Sequence, residues 1–341
     1  MAKLAVALSG GVDSAVAAWL LCQQGHEVLG LSLSLGQGRD EAPAAGAEVA
    51  RQLGVPHRVV SAGSEFGQEV VLPSLQAYAQ GITPNPCARC NARVKFPLLW
   101  RAARELGCQG LATGHYARIV ADARGRRLAE AGDQAKSQAY FLARLAPELL
   151  GHLLFPLGSL GKPQVRQLAG QAGLAAAQRP DSQDACFLPP GGWDELMAAH
   201  GLLRPGPLED QDGQVLASHE GIHRFTIGQR RGLGVALGRP AYVLALDGER
   251  AAVRVGPPEG LYSSGLWGRS PRWFAPPEPG ASLRVRVRYA HRGVDCQVQK
   301  EGERLLVKFQ EPQRAVAPGQ LAVFSHHEHI LGSAWITMAI H

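Results

Sequence analysis

The chain has 341 residues, of which 45% are hydrophobic and 19% are charged, so it is long enough for two or three globular domains and too apolar for a disordered chain. No run of about eighteen apolar residues occurs, which argues against a membrane span, and one Lys before a strand pattern does not resemble a secretory signal. The formal net charge is +6, with basic residues in excess in residues 1–190 and 265–341 but not in 191–264. This balance is compatible with a polyanionic partner, although it does not require one.

The first 120 residues alternate strand patterns with helix patterns. Strands are predicted at residues 4–8, 27–33, 58–61 and 110–113, and helices at 14–24, 44–53, 65–79 and 93–106. This order predicts an α/β domain with a doubly wound parallel sheet. Ligands of such sheets bind at the carboxyl ends of the strands, so the loops at Ser9–Ser14, Leu33 and Gly114 are the expected site.

The pattern changes in the second half of the chain. A helix opened by Lys162-Pro163 is followed by the hinge-like cluster Pro189–Gly192 and then by short alternating runs. In residues 283–289, which read Leu-Arg-Val-Arg-Val-Arg-Tyr, apolar residues on one face alternate strictly with Arg on the other, which indicates a strand with one buried face. The spacing of these runs predicts a small antiparallel barrel or sandwich. We therefore predict domains at residues 1–190, 191–262 and 263–341.

Six cysteines are too few for a secreted disulfide framework in a chain of this length, so a reducing, cytoplasmic setting is expected. Cys22, Cys108 and Cys296 lie in helix or strand patterns and are predicted to be packed. Cys90 and Cys186 lie in polar segments and are candidates for chemistry. We expect a lowered pKa for Cys90, because it would directly precede a helix and has Arg89, Arg93 and Lys95 near it in sequence.

The hexapeptide Ser9-Gly10-Gly11-Val12-Asp13-Ser14 follows a strand and opens a helix. Its glycines allow backbone N–H groups to turn toward an anion, and the hydroxyls and the helix N-terminus add to that preference. The Lys of a Walker loop is missing, which favours holding pyrophosphate over cleaving a terminal phosphate, with Asp13 helping to place Mg²⁺. A plain capped turn is the alternative. The hexapeptide resembles the PP-loop of ATP pyrophosphatases, a superfamily that transfers AMP to a substrate oxygen.

Further motifs narrow the resemblance. They are Thr83–Asn91, Ala112–Tyr116, Lys162–Arg166, Asp181–Phe187, Gly228–Gly234, Arg288-Tyr289 and Pro318–Gln320. In this order they resemble the tRNA-specific 2-thiouridylases across almost the whole chain. The resemblance implies a PP-loop domain of the adenine nucleotide alpha hydrolase type, a small central domain and a C-terminal antiparallel β-barrel. It also implies an ATP-dependent enzyme that makes 2-thiouridine at the wobble position of tRNAs for Lys, Glu and Gln.

The resemblance assigns a role to each matching position. Cys186 would carry a persulfide received from a sulfur-relay protein or a cysteine desulfurase, and Cys90 would be the nucleophile that completes the transfer by forming a disulfide with Cys186. The implied ATP-binding positions are Ala7, Leu8, Ser9, Gly10, Gly11, Val12, Asp13, Ser14, Leu33 and Gly114. The implied tRNA contacts are Asn85, Pro86, Cys87, His115, Lys136, Ser137, Gln138, Arg288, Tyr289 and Gln320.

Cys87 departs from the pattern, because many family members carry Asp there. An iron–sulfur cluster held by Cys87, Cys90 and Cys186 is therefore an alternative to the persulfide route, which we favour, and a zinc site is a third reading. Two other functions compete with this one: the protein could be another PP-loop ligase, or a tRNA-binding protein without catalysis. A monomer is expected.

Some charged and metal-ligating residues have two readings. Arg284 and Arg286 are either a solvated face or a phosphate-binding one, and Asp181 and Asp184 either cap their loop or assist catalysis. The histidines at 326, 327 and 329 are expected to lie in a hairpin turn rather than to bind a metal.

Overall fold

The computed structural model describes residues 1–36, 41–122, 125–179, 185–235, 238, 240–277 and 282–341. The chain forms two compact units. The first comprises Met1–Val70, Cys87–Phe187 and Glu328–Leu331, and the second comprises Val71–Pro86, Leu188–His327 and Gly332–His341. Within the described ranges, no helix combines the length and the hydropathy that a membrane crossing requires.

The helices are concentrated in the first 200 residues. The α-helices are α1 (Val12–Gln23), α2 (Glu41–Leu53), α3 (Gly63–Phe66), α4 (Leu72–Ala79), α5 (Pro86–Cys90), α6 (Phe96–Glu105), α7 (Ala139–Leu142), α8 (Lys162–Gln171) and α9 (Gly192–Ala199). Two π-helical segments, Gly67–Val71 and Asn91–Lys95, join α3 to α4 and α5 to α6. Short 3₁₀ helices occupy Pro147–Gly151, Ala175–Gln178, Ile222–Arg224 and Pro258–Leu261.

The first unit is built on a parallel sheet. Its strands are β1 (Lys3–Ala7), β2 (Glu27–Ser34), β3 (His57–Ser61), β4 (Gly110–Thr113) and β7 (Leu153–Leu154), and their order is β3-β2-β1-β4-β7. The sheet and α1 share a core that contains Leu4, Val6 and Val16, each less than 5% exposed. A hairpin of β5 (Arg118–Asp122) and β6 (Gly125–Ala129) also belongs to this unit. The α/β architecture with a parallel sheet is confirmed.

The second unit is mostly antiparallel β-structure. Its smaller sheet has the order β10-β11-β8-β9 and consists of β8 (Gly206–Glu209), β9 (Val215–His219), β10 (Tyr242–Asp247) and β11 (Ala252–Gly256). Six further strands are β12 (Tyr262–Trp273), β13 (Leu283–Arg286), β14 (Val294–Glu301), β15 (Arg304–Arg314), β16 (Leu321–His326) and β17 (His329–Ile340). They run in the order β12-β15-β14-β13-β16-β17 and close through a β12–β17 pairing. The predicted C-terminal barrel is confirmed, and Leu283 and Val285 point into it as the alternation predicts.

One helix begins earlier than the sequence pattern predicts. Helical geometry starts at Pro86 and continues through the π-helical segment to Glu105, instead of starting near residue 93. Proline is accepted at the first helical position because the N–H that it lacks has no intrahelical partner there. Cys90 therefore lies inside helical structure, and the expectation that it directly precedes a helix is wrong.

Candidate active site

The predicted phosphate loop joins β1 to the N-terminus of α1. Gly10 has φ +79°, a conformation that favours glycine, and Gly11 caps the helix without a side-chain hydrogen bond. The Ser14 hydroxyl donates to the carbonyl of Gly11 at 2.9 Å and accepts from the backbone N–H of Ser9 at 3.2 Å. Because the first N–H groups of a helix have no intrahelical acceptor, this folded loop presents donors suited to a phosphate.

The other predicted nucleotide positions lie at the same edge of the sheet. In the parallel register Ala7 is opposite Leu31 on β2 and opposite Thr113 on β4, so Leu33 and Gly114 lie at the carboxyl ends of strands that flank the loop. A Cβ at Gly114 would lie 2.6 Å from the backbone nitrogen of Ser14. Glycine at this position therefore permits close contact between the end of β4 and the start of α1.

The carboxylate of Asp13 is the centre of a polar network. The Nζ of Lys162 lies 2.8 Å from both carboxylate oxygens, and the Tyr116 hydroxyl donates to Oδ1 at 2.8 Å. The Lys162 side chain is 12% exposed and that of Asp13 is 32% exposed. These donors engage both carboxylate oxygens of Asp13, the residue predicted to help place Mg²⁺, and the Lys162 charge would oppose a cation bound to the same carboxylate.

The predicted tRNA-contacting stretch at residues 136–138 adjoins this network. Gln138 accepts from the backbone N–H of Tyr116 at 3.0 Å, and its own N–H donates to the Tyr116 carbonyl at 2.7 Å. The Ser137 hydroxyl is buried, where it donates to Glu130 and accepts from the N–H of Ala131. Lys136 is exposed. Gln138 thus positions Tyr116.

The Cys90 thiol is buried, with 9% of the residue exposed. Desolvation raises its pKa to about 11, which outweighs the lowering by the Lys95 charge and by a backbone hydrogen bond from Lys95. The Arg89 side chain donates to the carbonyl of Glu69 and lies 3.4 Å from its carboxylate. The expected lowering of the Cys90 pKa is therefore wrong, because burial exceeds the effect of the nearby charges.

Cys87 and Cys186 belong to the same unit as Cys90 and are exposed. The proximity of Cys186 contributes to raising the pKa of both Cys87 and Cys90, so the three predicted thiols share one neighbourhood. Phe187, the residue after Cys186, packs edge-on against Phe66 with the ring centroids 5.3 Å apart. All six cysteines are free thiols.

The cysteine neighbourhood does not fit a metal cluster as it stands. Among the residues that the structure describes, no three His, Cys, Asp or Glu side chains are gathered closely enough to hold a metal ion. Cys90 is moreover held in its thiol form by burial, whereas a metal ligand is a thiolate. Asp181 and Asp184, weighed as loop caps or catalytic groups, lie outside the described residues.

His115 lies just after β4 and packs against Phe96, the first residue of α6. Its Nδ1 lies 2.8 Å from the Thr113 hydroxyl, and its ring packs against Phe96 and Phe155. Desolvation, with a smaller effect of the Lys95 charge, holds the His115 pKa well below its ordinary value. The imidazole is therefore neutral at physiological pH and acts as a hydrogen-bonding group rather than as a cation.

The remaining predicted tRNA contacts lie in the second unit. Asn85 is buried, and Gln320 donates to the carbonyls of Thr83 and Pro84 at 3.1 and 3.0 Å. Gln320 thus fixes the loop that leads to Asn85 and Pro86. Arg288 donates to the Arg314 carbonyl at 2.8 Å, and Tyr289 is 37% exposed.

The ambiguous residues also have defined places. Arg284 donates to the carbonyls of Arg292 and Gly293 and lies 3.6 Å from Asp295, whereas Arg286 is half-buried. The histidines at 326, 327 and 329 flank the β16–β17 hairpin turn, as predicted. Cys108 and Cys296 are buried and Cys22 is half-buried, so the three are packed as expected.

Sequence reasoning missed the partners of the phosphate loop. Tyr116 and Lys162 lie in the motifs Ala112–Tyr116 and Lys162–Arg166, but their contacts with Asp13 span 103 and 149 positions. Arg179 belongs to none of the motifs, although its Nη1 donates to the carbonyl of Gly10 at 2.7 Å. The one available signal was its position two residues before the polar segment Asp181–Phe187, which contains Cys186.

Comparison with known proteins agrees with this arrangement. A family model described as the tRNA methyl transferase HUP domain matches residues 2–190, its PRC-barrel domain matches residues 195–257, and the aminomethyltransferase β-barrel domain matches residues 263–336.

Curated relatives match along the whole chain. The tRNA-specific 2-thiouridylase MnmA of Trichlorobacter lovleyi is 42% identical over 99% of this chain and 98% of its own length. That of Geobacter metallireducens is 42% identical over 99% and 97%, and that of Syntrophotalea carbinolica is 43% identical over 97% of each. Together with the fold and the phosphate loop, these matches show that the chain belongs to the tRNA-specific 2-thiouridylase family.

Proposed function

We propose that this protein is an ATP-dependent tRNA sulfurtransferase that converts the wobble uridine of tRNAs for Lys, Glu and Gln to 2-thiouridine. The observation that carries the proposal is the presence of the phosphate loop, Cys90 and Cys186 in one compact unit of a member of this family. Residues 1–190 would perform the chemistry. Residues 191–262 and 263–341 would contribute to holding the tRNA.

The nucleotide would bind at the carboxyl edge of the parallel sheet. The loop from Ala7 to Ser14 would hold the phosphates, and Leu33 and Gly114 would face the nucleoside. Transfer of AMP to the uracil oxygen at position two converts a poor leaving group into a good one and releases pyrophosphate. The target base must leave its stack to reach this edge, and Asn85 and Pro86 are the proposed contacts.

Sulfur transfer would use Cys186 and Cys90 in turn. The outer sulfur of a Cys186 persulfide attacks the activated carbon, and AMP leaves with the oxygen. The Cys90 thiolate then attacks the Sγ of Cys186, and the electron pair of the broken S–S bond stays on the sulfur attached to the base. The products are a thiocarbonyl and a Cys90–Cys186 disulfide, which a dithiol reductant must reduce before the next cycle.

Burial of Cys90 explains why the Cys186 persulfide reacts first and Cys90 second. A thiol with a pKa of about 11 is protonated at neutral pH, so Cys90 does not compete with the persulfide for the activated base. The exposed Cys186, in contrast, is accessible to a sulfur donor protein. Lys95, whose charge lowers the Cys90 pKa, would support the thiolate when it forms.

An iron–sulfur cluster on Cys87, Cys90 and Cys186 is the alternative route. Two observations favour the persulfide route. In the described part of the chain no three metal-ligating side chains lie close enough together to hold a metal ion, and burial keeps Cys90 protonated. Anaerobic purification followed by iron and sulfide assays separates the two. A colourless protein that keeps its activity as Cys87→Ala supports the persulfide route, whereas stoichiometric iron that is lost with Cys87 supports the cluster.

The direct test is ATP-dependent transfer of labelled sulfur to tRNA. Cys90→Ala and Cys186→Ala should each abolish transfer. The matched control is Cys22→Ala, which removes a half-buried thiol of the same unit and should leave the rate unchanged. Transfer that persists in both active-site variants would contradict the site assignment, and ATP consumption without tRNA thiolation would favour another PP-loop ligase.

A further inference from the structure

A second basic side chain lies at the phosphate loop. The Nη1 of Arg179 donates to the carbonyl of Gly10 at 2.7 Å, and a Cβ added at Gly10 would lie 2.8 Å from the same atom. Arg179 directly follows the 3₁₀ helix Ala175–Gln178 and is half-buried. Its guanidinium is thus seated on the loop that the proposed function assigns to the phosphates of ATP.

The backbone that carries Arg179 is fixed from two sides. Leu174 and Ala176 are buried in the core of the first unit, at 4% and 1% exposure. Arg166 donates to the carbonyl of Ala177 at 3.0 Å and to that of Arg179 at 3.4 Å. Arg166 lies on α8, whose first residue, Lys162, binds Asp13. One helix therefore positions both cations that reach the loop.

The two cations differ in how their charge is balanced. Lys162 is paired with the Asp13 carboxylate, so much of its charge is offset. Among the described residues Arg179 forms no ion pair; the Glu48 carboxylate, on which its charge acts from a distance, is instead paired closely with Arg51. A guanidinium has five N–H donors, and the Gly10 carbonyl engages one of the two terminal nitrogens. The fork geometry of the remaining donors suits phosphate oxygens.

We propose that Arg179 is a nucleotide-binding residue that contacts the β- and γ-phosphates of ATP, the pair that leaves as pyrophosphate. This inference rests on the proposed function. When the bond between the α-phosphorus and its bridging oxygen breaks, negative charge develops on the β-phosphate. A guanidinium beside the loop stabilises that charge without a proton transfer. Arg179 would thereby supply the charge that the missing Walker lysine supplies elsewhere.

The test compares three ligands on the full chain: ATP, pyrophosphate and AMP. Arg179→Gln removes the charge, and loss of charge-assisted hydrogen bonds should weaken ATP and pyrophosphate binding about 10- to 100-fold. AMP, which lacks the β- and γ-phosphates, should bind within about twofold of wild type. Arg179→Lys keeps the charge but not the fork, and its ATP affinity should lie between the two.

The matched control is Arg104→Gln, an exposed arginine in the last turn of α6 that precedes the amino end of β4, and it should not alter any of the three affinities. Equal losses for ATP and AMP in both Arg179 variants would assign the residue a structural role and overturn the proposal, as would unchanged ATP binding. If Arg179→Gln does not fold, the ratio of ATP to AMP affinity in Arg179→Lys decides the question. A wild-type protein that binds no ATP would instead refute the proposed function itself.

Discussion

Alkylation of Cys90 should be slow at neutral pH and should rise about tenfold with each pH unit up to about pH 10. The thiolate is the reactive form, and burial raises the pKa of this thiol from 9.0 to about 11. At pH 7 an ordinary thiol would be about 1% ionised, whereas Cys90 would be about 0.01% ionised. The difference is about a hundredfold in rate, or about 3 kcal/mol in the free energy of ionisation.

The assay is a short pulse of iodoacetamide at a series of pH values, followed by denaturation, tryptic digestion and mass spectrometry. Cleavage after Arg89 places Cys87 and Cys90 in separate peptides, so the two thiols are measured independently. The same protein unfolded in urea supplies the reference profile. The slope of the rate against pH, rather than the absolute rate, reports ionisation, because restricted access slows the reaction equally at every pH.

A matched pair of variants tests the cause. Lys95→Met removes the charge that lowers the Cys90 pKa and should move the rise in rate to higher pH. Arg93→Met removes an exposed charge of the same helical segment and should leave the profile unchanged. A plateau in the wild-type rate below pH 9, with circular dichroism showing a folded protein, would refute the argument that burial controls this thiol.

Three further outcomes are expected from other contacts. Gly114→Ala places a Cβ 2.6 Å from backbone atoms of α1, so it should lower the free energy of unfolding in urea by about 1–3 kcal/mol and weaken ATP binding. The control is Gly170→Ala on α8, where the Cβ meets open space and the free energy of unfolding should rise by about 0.5–1 kcal/mol. A double-mutant cycle of Asp13→Asn and Lys162→Met should give a coupling energy of about 1 kcal/mol in unfolding, and a value near zero would contradict a stabilising ion pair. Gln320→Ala releases the carbonyls of Thr83 and Pro84 and should raise the KM for tRNA severalfold with no change in ATP affinity, so an unchanged KM would refute its positioning role.

The sequence predicts the parallel sheet and the phosphate loop because both depend on local signals. An alternating run, two glycines and a helical period follow one another in residues 4–24, and the structure has a strand, a turn and a helix there. The helix start at Pro86 was missed because a proline-rich segment has the same composition whether it forms a loop or the first turn of a helix.

The chemistry of the site is less accessible to sequence reasoning. Charges near Cys90 can be counted along the chain, but desolvation depends on residues packed around it from elsewhere, and it reverses the direction of the pKa shift. The Tyr116–Asp13–Lys162 network and the contact of Arg179 with Gly10 likewise join positions more than 100 residues apart. Such pairings are properties of the folded chain rather than of any segment.

Val71–Pro86 belongs to the second unit, whereas the stretches on both sides of it belong to the first. This arrangement affects the order in which parts of the chain can fold during synthesis. Ala79 accepts a hydrogen bond from Arg204, 125 positions later, and Thr83 accepts one from Gln320, 237 positions later. This segment therefore emerges from the ribosome long before its partners exist. Translation must continue through the barrel before the loop that leads to Cys90 is anchored, so a truncated chain would carry a complete phosphate loop beside an unanchored cysteine loop.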